Sequence, residues 1–125
     1  MLSAFVIVLS IHMLSATFWA GTSFALARSG GAGIERLRLP QLSAALVAVL
    51  SGGYLGHATH GDTVTRTQQV LMAGAACALI AGAIQVAAAL LARRAGSPGS
   101  GVIAQRAAAG LLAVTAVCMV VARYA

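Results

Sequence analysis

The sequence predicts an all-α integral membrane protein, a four-helix up-down bundle with both termini on the outer, periplasmic side. Composition is the first ground for this. The 125 residues are 60% hydrophobic and 8% charged, with a mean hydropathy of +0.94, whereas a soluble domain carries about 25% charged residues. So few charges cannot cover a water-facing surface, and lipid must solvate much of the chain. The second ground is that the apolar residues fall into four runs, each near the roughly 20 residues a helix needs to cross a bilayer. The third is that short stretches rich in Gly, Arg and polar residues separate the runs.

The first run, residues 2–27, ends at Arg28. Met1-Leu2-Ser3-Ala4 carries no basic residue, and the run exceeds the apolar core of a signal peptide. A spanning helix is therefore expected, not a leader. Ser29 to Gly33 reads as a turn, followed by a polar loop with Glu35, Arg36 and Arg38. Pro40 suits the first position of a helix, where its missing N–H costs nothing. The second helix is expected over 41–60, because stopping at Leu55 leaves it short of a full span. Gly52 and Gly56 form a G-x-x-x-G pattern beside Ser51 and Gly53, a surface that lets helix backbones approach closely. In the next connection, Asp62 or Thr63 is the expected cap of a third helix over 70–91. There Gly74, Cys77, Ala78, Ala81, Gly82 and Gln85 recur every three or four positions as a packing stripe, with Gln85 its strong hydrogen-bonder. Arg93 and Arg94 end it. Gly96 to Gly101 is a loop, and the fourth helix is expected over 104–122, anchored by Arg123 and Tyr124. The whole chain, 1–125, reads as one domain.

The net charge of +6 comes entirely from Arg, with Glu35 and Asp62 the two acids. Nucleic acid is not the expected partner, because the Arg residues lie between the apolar runs, where membrane topology puts them. Arg28, Arg36, Arg38, Arg93, Arg94 and Arg106 fall on one side and Arg66 and Arg123 on the other. The positive-inside rule then puts the termini in the periplasm of a bacterial inner membrane. Cys77 and Cys118 lie inside apolar runs and imply no disulfide framework.

The candidate chemistry rests on histidine. His12 falls near mid-bilayer, and an ionisable group there is a functional candidate by default. His12 and Trp19 share a helix face with Ser15, Ala16 and Ser23. His57 and His60, three apart, share another face, with Asp62 near enough to orient one of them. Neutral imidazole suits copper and haem iron. His12, His57 and His60 are therefore the candidate metal ligands, with Trp19 as a cofactor wall. The expected boundaries offset His12 from His57 by roughly 10 Å along the membrane normal. Each residue also has a plainer reading. His12 is then a buried histidine bonded to Ser, Thr or backbone, and His57 and His60 are interfacial side chains in water. Trp19 is then helix packing, and Gln85 an interhelical hydrogen bond.

The pattern His12-x6-Trp19-x-Gly21 followed by Phe24, with Ser51-Gly-Gly-Tyr-Leu55 at the end of the second run, resembles a group of bacterial four-helix membrane proteins. The group includes the copper-resistance D domain and the HemJ-type protoporphyrinogen oxidase. The resemblance covers the first two helices and implies a four-helix bundle with a redox or metal role for His12. The chain departs from the pattern where Thr22 stands for a second Gly. It also has no Lys, whereas HemJ-type enzymes use a lysine in a later helix. His57 and His60 are not part of the shared pattern.

Two functions follow as expectations. The first is a small redox or metal-binding protein, holding b-type haem or copper near the periplasmic face within a larger complex. The second is a non-catalytic accessory subunit without a cofactor. It would pack through Gly52, Gly56, Gly74, Gly82 and Gln85 against other membrane subunits or a second copy. A transporter is a weaker third, since no acid lies within a span and no span is visibly broken by Pro. No Ser or Cys is paired with a base by the sequence, so a hydrolase is not expected.

Overall fold

The structure, a computed structural model, describes residues 2–59, 65–97 and 101–124. The chain forms α1 (Leu2–Arg28), α2 (Ile34–Thr59), α3 (Arg66–Arg94) and α4 (Val102–Ala122). Each is long and apolar enough to cross a membrane. In hydrocarbon every backbone N–H and C=O must be paired within the segment, and an α-helix does this. Successive helices run antiparallel. α1 packs closely on α2 and on α4, and α3 packs closely on α4, whereas α2 and α3 touch only sparsely.

α2 begins at Ile34, before the Gln41 expected from sequence, so Pro40 lies inside the helix and not at its first position. Pro40 removes one backbone donor, but the earlier start buries Ile34 completely. Gly33, at φ +80°, turns the chain into the helix, and Ile34 N–H donates to Gly31 O at 3.1 Å. α3 also starts earlier than expected. Its cap is Thr65, whose hydroxyl accepts from Gln68 N–H at 3.2 Å. The expected caps Asp62 and Thr63, and His60, lie outside the described residues. At the far end of α3, Gly96 adopts φ +68° and Ser97 N–H donates back to Ala92 O at 2.9 Å. This left-handed closure satisfies a carbonyl the helix cannot.

Large apolar residues such as Leu14, Leu39, Leu50, Leu91, Ile103 and Val120 point outward, while Ala45, Ala48, Ala81, Ala108 and Ala109 are buried. Lipid tails are as apolar as leucine, so burying leucine gains little. Small residues that bring backbones together gain more. Among the described glycines the tightest is Gly74, where an added Cβ would sit 2.9 Å from Cys118 Cβ. There the Thr115 hydroxyl crosses from α4 to donate to Gly74 O at 2.9 Å. Gly21, in contrast, has nothing within 4 Å of its Cβ position. In detergent-solubilised protein, Gly74→Leu is expected to lower unfolding stability by about 1–3 kcal/mol through overpacking. Gly21→Ala should leave stability equal or up to about 1 kcal/mol higher. Equal effects at both positions would contradict the α3–α4 contact.

Candidate functional site

Two polar places inside the bundle stand out among the described residues. The larger is a cluster of glutamines, one from each of α2, α3 and α4, completed by Trp19 and Ser23 of α1. Gln41, Gln85 and Gln105 are at most 2% exposed. The Trp19 indole N–H donates to Gln85 Oε1 at 2.6 Å. Gln85 Nε2 donates to Ser23 Oγ at 2.8 Å and to Gln105 Oε1 at 3.2 Å. Gln41 and Gln105 exchange amide bonds in both directions, each at 3.0 Å. Gln41 Nε2 also reaches Ser23 Oγ at 3.2 Å and Thr22 Oγ1 at 3.3 Å. The Ser23 hydroxyl donates to Trp19 O at 2.8 Å. The amide carbonyls and amino groups thus satisfy one another. The amides carry no charge, and their bonds join all four helices.

The cluster lies toward the Arg-rich end, with Ser23 one to two turns from Arg28. At that end Arg106 Nε donates to Ala27 O at 3.4 Å, a cation on the last carbonyls of α1.

The second place is His12, half-buried where α1 meets α2. Its Nδ1 lies 2.9 Å from Ala48 O and 3.1 Å from Ser51 Oγ. A carbonyl only accepts, so Nδ1 carries a proton and donates to Ala48 O. The Ser51 hydroxyl donates to Val47 O at 2.6 Å, which leaves its oxygen to accept from the imidazole. Gly52 permits this approach, since a Cβ there would lie 3.0 Å from His12 Cε1. The backbone register of α2 therefore seats the ring.

The remaining sequence candidates are dispersed. His57 is exposed, beyond Gly52 on α2. Trp19 is 3% exposed, and its ring lies 3.6 Å from the Cβ position of Gly82 on α3. Gly74 faces α4, and Gly56 has open space at its Cβ position. Among the described residues, no three His, Cys, Asp or Glu side chains converge on a point that could hold a metal ion.

Gln41 and Gln105 were not among the sequence candidates. A glutamine near the same end of three separate apolar helices was the available signal, because an amide in hydrocarbon needs a partner.

Comparison of the chain with protein-family models, with curated proteins and with solved structures finds no match.

Gln85→Leu removes an acceptor from the indole and a donor from Ser23. It is expected to cost about 1–3 kcal/mol of stability and to shift Trp19 fluorescence to shorter wavelength. An unchanged spectrum with unchanged stability would contradict the Trp19–Gln85 bond.

Proposed function

We propose that the chain is a non-catalytic accessory subunit of the membrane, a rigid four-helix unit that docks against other membrane helices. The supporting observation is the outer face of α1. Ser10, Thr17 and Gly21 fall on one stripe at helical spacing, and all are exposed. The hydroxyls of Ser10 and Thr17 are already bonded to Val6 O at 2.8 Å and Met13 O at 2.7 Å. Leu14, 74% exposed, stands between Ser10 and Thr17 on the same stripe, so the small and internally satisfied part is Thr17-x-x-x-Gly21, whose spacing lets a second helix approach closely. The interior supports the same reading, since the amides of Gln41, Gln85 and Gln105 are used up on one another and on α1. The accessory role needs lipid around the bundle and a partner subunit or second copy on α1. With the Arg-rich end in the cytoplasm, the termini face the periplasm of a bacterial inner membrane.

A second reading keeps the metal role of His12, which the resemblance to copper-resistance D and HemJ-type proteins also suggests. Metal-binding histidines commonly donate their other ring N–H to a backbone carbonyl, and His12 Nδ1 meets Ala48 O in that way. Nε2 would be the ligand atom, with His57 or His60 as candidates for the second. The close contact of the ring with Gly52 favours a single copper ion over a haem wedged between α1 and α2.

One purification tests both. Protein in mild detergent is sized by light scattering, with and without Thr17→Leu plus Gly21→Leu, and metal is assayed on the same fractions. The accessory reading expects an assembly larger than one chain that shrinks in the α1 variant but not in Ala116→Leu, an exposed position on α4. A monodisperse monomer would overturn it. Stoichiometric copper lost in His12→Ala would establish the second reading in its place.

A further inference from the structure

The bundle is closed on three sides and open on the fourth, between α2 and α3. The opening is a groove with two connected parts. Its apolar part has the Trp19 indole as floor and Gly82 beside it. Leu42 lines this part and also the next. Beyond Leu42, toward the Arg-rich end, the groove reaches a rim formed by Glu35, Arg38 and Arg93. One continuous surface therefore runs from charge to hydrocarbon along the direction a lipid takes in a bilayer.

We propose that this groove holds one anionic phospholipid, its headgroup phosphate on Arg38 and Arg93 and an acyl chain along the cleft to Trp19. The argument is charge complementarity joined to shape. Two guanidinium groups against one carboxylate leave the rim net positive, and the arginine fork matches phosphate oxygens in a bidentate way. Arg38 is half-buried, its Nη2 3.0 Å from the Cβ position of Gly101 at the start of α4, so its head is seated and not free to sweep the surface. Arg93, in the last turn of α3, is exposed. Below the rim the wall is apolar, as an acyl chain requires and a free phosphate does not. This inference does not depend on what covers the α1 stripe, which is made of other residues.

Trp19 is the chain's single tryptophan and reports on the groove directly. The full chain is placed in phosphatidylcholine nanodiscs. Dibrominated phosphatidylglycerol or dibrominated phosphatidylcholine is added at equal mole fraction, and Trp19 quenching is followed. Brominated phosphatidylglycerol is expected to reach half-quenching at about a fivefold lower mole fraction, the equivalent of about 1 kcal/mol for one net positive charge. R38Q/R93Q should abolish that difference while leaving the Trp19 emission maximum unchanged. R93Q alone, at an exposed position, should reduce it if the double variant fails to fold. Equal quenching by both lipids, no quenching by either (as when a partner helix fills the cleft), or a preference untouched by R93Q would overturn the proposal.

Discussion

A primary amide in hydrocarbon loses several kcal/mol if its donors and acceptor go unpaired. Three such amides enter this bundle from three helices, and α1 adds an indole N–H and a serine hydroxyl. Water is scarce there, so the groups must find one another. That need fixes the rotation of all four helices together. Gln41 can reach Gln105 only if α2 and α4 turn those faces inward, and Gln85 can reach both Trp19 and Ser23 only if α3 faces α1. The bonds cross both diagonals of the bundle, α2 to α4 and α1 to α3, where the backbones themselves do not approach. The small residues at Gly74, Ala81 and Ala108 complement this by letting adjacent helices come close. Packing alone would tolerate several rotations, whereas the amides tolerate few.

The other features follow from that rotation. With Trp19 turned toward α3, the opposite edge of the same stripe carries His12 onto Ala48 and Ser51, and Ser10, Thr17 and Gly21 are left outside. The indole also fills space in the interior that α2 and α3 would otherwise use to meet. The open groove is thus the counterpart of a large aromatic ring in a core cluster otherwise made of four alanines and Leu112. Two unlike outer surfaces result, the small uncharged patch of Thr17 and Gly21 on α1 and the groove that runs from arginine to hydrocarbon.

The four long apolar helices were legible because length and apolarity are strong, local signals. The start of α2 was not. Pro40 and the charged residues before it read as a loop, and only the burial of Ile34, a tertiary fact, extends the helix across them. The glutamine cluster was half legible. Gln85 stands in the middle of an apolar stripe and is conspicuous, but Gln41 follows Pro40 and Gln105 precedes Arg106, so both read as residues of a wet helix end. Helix rotation decides otherwise, and rotation depends on all four helices at once. For the same reason the sequence puts His12 well inside the first apolar run but not against Ala48 and Ser51, and it carries no sign that one side of the bundle is open.

The central claim is that buried amides couple helices whose backbones do not approach each other. A double-mutant cycle of Gln41→Leu and Gln105→Leu, read as unfolding free energy in bilayer-like micelles, tests it most directly. The two reciprocal amide bonds across the α2–α4 diagonal are expected to give a coupling energy of about 1–2 kcal/mol. Effects that add to within about 0.3–0.5 kcal/mol would mean that the two glutamines act independently, and that something other than the cluster sets the arrangement of the helices.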